Sequence, residues 1–190
     1  MPAAADGLSR GGNGEISMKR LLLATAVSLL TATTAMAQTV YIVRHAEKAD
    51  ASADPALSAE GQARAAALSE ALRDAHPVLV LTSPLQRTVQ TAAPTAEYHS
   101  APSEVVSLEG GGAAHVAATA ARVRALPDDA VVLIVGHSNT VPAIARALGY
   151  ADAADMPECE YDRMTVLHLD GEAAHGEVRR YGAGSSCPAA

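Results

Sequence analysis

A short apolar run ends in an arginine–histidine pair in Thr39-Val40-Tyr41-Ile42-Val43-Arg44-His45-Ala46-Glu47. Thr39 to Val43 is rich in β-branched residues and too short for a helix, so it predicts a buried β-strand. Arg44 and His45 then follow where a parallel strand of an open α/β sheet delivers side chains to a ligand crevice. A guanidinium binds anions with a planar fork of donors, and a neutral imidazole can attack phosphorus. Taken alone, the pair is read more simply as a solvated strand end.

Helical and extended patterns alternate along the rest of the chain. Ser58 is a suitable N-cap for a first helix, and Gly110-Gly111-Gly112 is predicted to be a flexible turn. The alternation predicts a three-layer αβα sandwich with a mainly parallel sheet. We predict helices over 59–75, from Pro84 toward Ala93, over 113–126 and over 141–148, and further strands over 78–81, 105–106, 130–135, 164–169 and 177–181. The apolar face of the first helix is predicted to contain Ala63, Ala66, Ala67, Leu68, Ala71 and Leu72.

The N-terminal residues have the composition of an export signal. Met18-Lys19-Arg20 is a short basic start, an apolar core follows over 21–30, and Ala35-Met36-Ala37 is a small-x-small cleavage site. The core is shorter than the ~20 apolar residues of a transmembrane anchor. We therefore expect residues 18–37 to be a cleaved signal peptide and residues 38–190 to form one domain. Residues 1–17 are expected to be a mis-assigned or artificial extension, and the mature protein to be periplasmic or secreted without a membrane span.

Composition excludes some classes of partner. The chain has 14 Lys and Arg against 21 Asp and Glu, a net charge of −7, which argues against non-specific binding to nucleic acid or to an anionic membrane. It has no Phe and no Trp, so its core is built from Ala, Val and Leu. Cys159 and Cys187 are the two cysteines, and in an exported chain such a pair is expected to form a disulfide.

Polar groups of matching type follow three of the predicted strands. The first strand is followed by Arg44 and His45, the second by Ser83 and Arg87, and the fourth by His137 and Ser138. The carboxyl ends of parallel strands lie along one edge of the sheet, so these groups can converge. Two arginines and two histidines around one crevice predict an anion site that contains a nucleophile. The helix beginning near Asn139 would add backbone N–H groups to it.

The chain resembles the histidine phosphatase superfamily, the phosphoglycerate mutase-like enzymes, in three segments: Val43-Arg44-His45-Ala46-Glu47, Ser83-Pro84-Leu85-Gln86-Arg87-Thr88 and Val135-Gly136-His137-Ser138. Their order and approximate spacing match, and the resemblance covers essentially the whole mature chain. It implies a small exported bacterial member with a phosphoglycerate mutase-like fold and no cofactor or metal. It also implies that His45 takes the phosphoryl group as a phosphohistidine, while Arg44, Arg87 and His137 hold the phosphate oxygens. Ser138 and Ser83 are further candidate contacts to the substrate.

Simpler or different roles exist for several of these residues. Ser83 can equally be an N-cap or turn residue. His45, His137 and Glu47 could instead bind a metal, although the flanking arginines would repel a divalent cation. The remaining histidines have no motif context and are expected at the surface or in loops: His76, His99, His115, His168 and His175.

The general acid is the least defined part of the predicted site. Many family members carry a Glu or Asp that protonates the leaving oxygen. Glu109 stands at about the right place for the mutase-like arrangement, although three glycines follow it where a longer covering insertion is usual. A surface turn residue is the alternative for Glu109, and Glu47 and Asp162 are further candidates. Without an acid, the enzyme would favour leaving groups that need little protonation, such as phosphoramidates.

The sequence as a whole predicts an exported, metal-independent phosphatase that hydrolyses a phosphomonoester or phosphoramidate through His45. One alternative is a phosphomutase of the same fold, although the short glycine turn offers no covering segment. The other is a non-catalytic phosphate-binding module. The expected partner is a small phosphorylated substrate or a phosphorylated envelope component, and we expect no nucleic-acid partner. The sequence defines neither the substrate nor the oligomeric state.

Overall fold

A six-stranded mixed sheet forms the centre of the computed structural model, which describes residues 37–185 and 187. The strands are β1 (Gln38–Arg44), β2 (Leu79–Thr82), β3 (Ser103–Val105), β4 (Val131–Gly136), β5 (Arg163–Asp170) and β6 (Ala173–Arg180), and their spatial order is β3-β2-β4-β1-β5-β6. β3, β2, β4 and β1 run parallel, and β5 and β6 add an antiparallel hairpin at one side. The predicted mainly parallel sheet is therefore confirmed.

Within residues 37–185, four helices cover both faces of this sheet in pairs. They are α1 (Ala59–Ala71), α2 (Gln86–His99), α3 (Gly111–Arg124) and α4 (Thr140–Ala147). Alternate residues of each strand point to opposite faces, so β1 contributes Val40 and Ile42 to one apolar cluster and Val43 to the other. The first cluster includes residues of α3 and α4, and the second includes residues of α1 and α2. The three-layer αβα sandwich is confirmed.

Helix α1 differs from its prediction in length and in its buried face. It ends at Ala71, because the residues after it form a tight turn in which Arg73 N–H donates to Glu70. Ser58 caps it as predicted by accepting from the N–H of Gly61 at 3.1 Å. The predicted face is wrong for Ala63, Ala66 and Ala71, which are exposed. The buried face consists of Gly61, Arg64, Ala65, Leu68 and, just beyond the helix, Leu72.

Other boundaries also differ from the prediction: β3 and β6 begin earlier than predicted, at Ser103 and Ala173, and two helices have different limits. Helix α2 does not stop at Ala93 but continues through Pro94 to His99, and its threonines at 88, 91 and 95 are buried. Helix α3 begins at Gly111, so only Gly110, with a φ of 80°, remains in the turn that was predicted over 110–112. A glycine suits that position because L side chains rarely adopt a positive φ.

The C-terminal part of the domain is held by a disulfide between Cys159 and Cys187, which confirms the predicted pairing. Within the described residues, no helix is both long and apolar enough to cross a membrane. The predicted signal peptide and the predicted extension before it occupy the part of the chain outside the described residues, apart from Ala37, and both stay predictions.

Candidate active site

The register of two neighbouring strands places the predicted groups side by side. β1 and β4 are parallel with Arg44 opposite Gly136, and the N–H of His45 donates to the carbonyl of Gly136 at 2.9 Å. His45 and His137 therefore leave adjacent strands at the same edge, and their ring centroids are 5.4 Å apart. β2, on the other side of β4, leads to Arg87 in the first turn of α2. A cavity of about 440 Å³ opens there, lined among others by Arg44, His45, Arg87, His137 and Ser138.

His45 is buried and has a defined tautomer. Its Nδ1 lies 2.8 Å from the carbonyl oxygen of Ala46. A carbonyl only accepts, so Nδ1 carries the proton and Nε2 keeps its lone pair. Burial and the charges of Arg44, His137 and Arg87 lower the pKa of His45 from 6.5 to about 3, although the Ala46 contact opposes the shift. The imidazole is therefore neutral at every ordinary working pH.

His137 is held from behind by Ser83. Burial, followed by the nearby charge of Arg87, lowers the pKa of His137 to about 4. Its Nε2 lies 3.0 Å from the hydroxyl oxygen of Ser83, which is fully buried and 2.9 Å from the hydroxyl of Thr88. Ser83 does not line the cavity, and the residue at the N-cap of α2 is Leu85. The structure thus places Ser83 as a support that orients the His137 ring.

Two guanidinium groups at this cavity have donor nitrogens without a hydrogen-bond partner among the described residues. Arg44 is almost completely buried, its Nη1 donates to the carbonyls of Pro157 and Glu160 at 3.3 Å each, and the ring of Tyr161 stacks on it at 4.2 Å. The Nε of Arg44 has no hydrogen-bond partner among the described residues, nor have Nε and Nη1 of Arg87. Asp54 lies 3.8 Å from Arg87 Nη1, which is an ion pair but too long for a hydrogen bond. Buried donors without partners are costly, so these three nitrogens are suited to donate hydrogen bonds to an anion.

The sequence reasoning missed Glu158. Its Oε2 accepts from Arg44 Nη2 at 2.7 Å, its Oε1 accepts from the hydroxyl of Ser138, and it lines the cavity. The hydrogen bond from Ser138 and the charges of Arg44 and Lys48 hold the pKa of this carboxyl below its usual range. The only signal in the sequence was its position beside Cys159, whose disulfide anchors the segment 157–160. Lys48, a third cation at the cavity beside Arg44 and Arg87, was also missed.

The candidate acids named from the sequence lie elsewhere. Glu109 is exposed, and its neighbour Leu108 lines the cavity while Glu109 does not. The Glu47 carboxylate accepts three hydrogen bonds from Arg64, at 2.7 to 3.0 Å, and Asp162 accepts from Arg180 and Ser185. Since Glu47 is bound to Arg64, it does not complete a metal site with the two histidines. The described residues contain no cluster of three or more His, Cys, Asp or Glu that could hold a metal.

One further histidine departs from its predicted place. His115 is buried on α3, where its Nδ1 lies 3.2 Å from the carbonyl of Ser107, although it was expected at the surface. The hydrogen bond satisfies the ring, because a neutral imidazole can donate one proton to a carbonyl. The exposed histidines are His76, His168 and His175.

Part of the chain matches a known protein family. The family model of the histidine phosphatase superfamily (branch 1) matches residues 40–109, a span that contains Arg44, His45 and Arg87 but ends before His137. A search of curated proteins found none whose sequence matches the chain.

Several solved structures have the same fold. The protein histidine phosphatase SixA complexed with tungstate is 23% identical, with a TM-score of 0.62, over 75% of this chain and 96% of that one. A putative phosphohistidine phosphatase SixA from Nakamurella multipartitia is 28% identical, with a TM-score of 0.53, over 79% of this chain and 98% of that one. A putative alpha-ribazole-5'-P phosphatase from Escherichia coli is 18% identical, with a TM-score of 0.60, over 80% of this chain and all of that one.

Proposed function

This chain belongs to the histidine phosphatase superfamily, and we propose that within it the protein is a metal-independent phosphatase that uses His45 as its nucleophile. The observation that carries the proposal is the set of unpartnered guanidinium N–H groups on Arg44 and Arg87, beside a histidine whose Nε2 lone pair is free. These groups suit a phosphoryl group, which presents negative oxygens to cations and an electrophilic phosphorus to the imidazole.

The reaction has two steps in this arrangement. Nε2 of His45 attacks phosphorus in line with the leaving oxygen, and the N–P bond forms as the P–O bond breaks. The charge that spreads over the equatorial oxygens is met by Arg44, Arg87 and His137, which are already in place. Water then attacks the phosphohistidine, and orthophosphate leaves as His45 becomes neutral again.

The low pKa of His45 supports this assignment. A histidine with a pKa of about 3 does not protonate at neutral pH, so its lone pair stays available beside two arginines. The same cations that bind the phosphate thus keep the nucleophile active. Arginine in this role has an advantage over a metal ion, since it cannot coordinate and block Nε2.

The proposal extends to location. The Cys159–Cys187 disulfide supports folding in an oxidising compartment, in agreement with the predicted export signal. The substrate class that the site supports is a phosphomonoester or a phosphoramidate.

The decisive experiment uses the chain from Gln38 onward with p-nitrophenyl phosphate, with and without a chelator. We expect chelator-insensitive turnover that is lost in His45→Ala. We also expect acid-labile labelled phosphate on the wild-type protein after a brief exposure to a labelled ester. His175→Ala, at an exposed position on β6, is the matched control and should stay active. Turnover that survives His45→Ala would refute the nucleophile, and absence of both turnover and label would leave a phosphate-binding module.

A further inference from the structure

The cavity has one acidic residue among the described residues that line it, and it is Glu158. Its side chain is 79% exposed, so burial does not explain its fixed position. Two hydrogen bonds hold the side chain in place: Arg44 Nη2 donates to one carboxylate oxygen at 2.7 Å, and the hydroxyl of Ser138 donates to the other. The carboxylate is therefore bound to a guanidinium that also has a buried Nε–H without a hydrogen-bond partner among the described residues.

A phosphoryl group bound at that Nε–H has to lie next to the Glu158 carboxylate, because Nε–H and Nη2–H are neighbouring donors of one planar fork. Two bare anionic oxygens side by side repel each other. If the phosphoryl group carries one proton, the same contact becomes a P–OH donating to a carboxylate, which is a charge-assisted hydrogen bond. The geometry thus favours the monoanionic form of the substrate.

We propose that Glu158 is the proton-carrying carboxylate of this reaction, taking the proton of a monoanionic phosphoryl group and delivering it to the leaving oxygen. The proposal rests on the proposed function of His45. As Nε2 of His45 bonds to phosphorus, the P–O bond to the leaving group breaks and its electron pair takes the proton from Glu158. An alkyl phosphate monoanion and neutral His45 thus become an alcohol and a phosphohistidine with a protonated ring and a dianionic phosphoryl group. Charge and protons balance, and Glu158 returns to its carboxylate form.

The groups that face Glu158 agree with this role. Arg44 comes from β1, Lys48 from the loop that follows it, and His137 and Ser138 from the end of β4. They lower the pKa of Glu158, so in the free enzyme the group is a carboxylate and has to receive its proton from the substrate. Phosphomonoesters have a second pKa of about 6, so the reactive form disappears about tenfold per pH unit above that value.

Glu158→Gln tests the inference with two substrates measured in parallel. For a simple alkyl phosphate, whose leaving oxygen needs a proton, we expect kcat/KM to fall about 100-fold at pH 5.5. For p-nitrophenyl phosphate, whose phenolate leaves unprotonated, we expect a change of less than about threefold. Above pH 7 we expect the kcat/KM of the wild type for this aryl ester to decline steeply with pH. In the variant this decline should be absent, because the carboxylate that repels the dianionic ester has been removed.

Two further variants sharpen the result. Glu97→Gln, at an exposed position on α2, is the matched control and should leave both substrates unchanged. Glu109→Gln tests the candidate from the sequence motif, and a leaving-group-dependent loss there with none in Glu158→Gln would overturn the inference. Inhibition by orthophosphate and the unfolding midpoint report whether Arg44 is still held in place.

The outcomes separate proton transfer from a structural role. A selective loss with the alkyl ester, together with a flattened pH profile, supports the inference. An equal loss with both esters together with weaker orthophosphate inhibition overturns it, because Glu158 would then only hold Arg44. Unchanged kinetics also overturn it. If wild type neither turns over the aryl ester nor forms a phosphoenzyme, the proposed function itself fails, a result that the variants do not mimic.

Discussion

Removing the Cys159–Cys187 disulfide should weaken phosphate binding as well as stability. The bond joins two cysteines that are 28 residues apart in the chain. It fixes the segment in which the backbone carbonyls of Pro157 and Glu160 accept hydrogen bonds from Arg44 Nη1. In the chain-entropy model a loop of this size contributes about 3.6 kcal/mol. For a domain of this length that corresponds to a fall in Tm of about 7–14 °C.

Phosphate binding should weaken because the disulfide helps to hold the segment that positions Arg44. Without the crosslink, segment 157–160 gains conformational freedom, and the guanidinium loses part of the framework that points its Nε–H at the anion site. We expect the double variant Cys159→Ser/Cys187→Ser to raise the inhibition constant of orthophosphate and the KM of an aryl phosphate by about tenfold, the effect of losing about 1.4 kcal/mol of positioning. The kcat should change less, since His45 is anchored independently through Gly136 and Ala46.

The assay compares oxidised wild type, wild type in a reductant and the double variant. Tm is measured by circular dichroism, and the kinetics are run at least 15 °C below the lowest midpoint so that unfolding does not contribute. A lower Tm with unchanged orthophosphate inhibition would refute the link between the disulfide and Arg44. Exchange of a surface serine such as Ser52 for alanine serves as the control, since it lies outside this segment.

Three further changes have defined outcomes. Gly61→Ala would place a Cβ 2.2 Å from the Glu47 carbonyl oxygen, so we expect a loss of about 3 kcal/mol or more in urea unfolding, against less than about 0.5 for Gly184→Ala, where the space is open. Arg87→Lys should lower kcat/KM about 100-fold without lowering Tm, because Nε and Nη1 have no hydrogen bond to lose in the free protein and lysine keeps the positive charge that pairs with Asp54; a lower Tm would contradict this. His45 has a pKa of about 3 in the folded state against 6.5 in an unfolded chain, so the unfolded state binds the extra proton between these values and stability falls as the pH drops below 6.5. The slope approaches about 1.4 kcal/mol per pH unit, and His45→Asn should remove that part of it in urea titrations.

The features that were predictable from the sequence are those set by neighbouring residues. The β-branched run before Arg44 forms a strand because its side chains fit a pleated, buried surface, and the polar residues just after three strands share one edge because parallel strands end together. Ser58 caps α1 for an equally local reason.

The features that escaped prediction depend on distant partners. Glu158 reaches Arg44 across 114 residues of chain, through a loop with no periodic pattern. Arg64 is buried because Glu47 and the carbonyls of Tyr181 and Ala183 bind it, and hydrophobic periodicity places no charge on an inner face. The buried face of α1 was predicted wrongly because the helix is rich in alanine. Alanine is small enough to occur on exposed as well as buried faces, so its spacing gives little indication of which face packs against the sheet.

The two titrating partners of the proposed reaction need opposite conditions, and the structure reconciles them. His45 has to be neutral, whereas the phosphoryl group has to keep a proton whose pKa is about 6. An imidazole with the ordinary pKa of 6.5 would be only about 3% neutral at pH 5, where most of the ester is monoanionic. With a pKa of about 3, His45 is almost entirely neutral there. Burial beside Arg44 and Arg87 thus opens a working range whose lower end is set by protonation of His45, with its pKa of about 3, and which closes above about pH 6 as the substrate loses its proton. A maximum of kcat/KM for an alkyl phosphate at pH 7.5 or above would contradict this account.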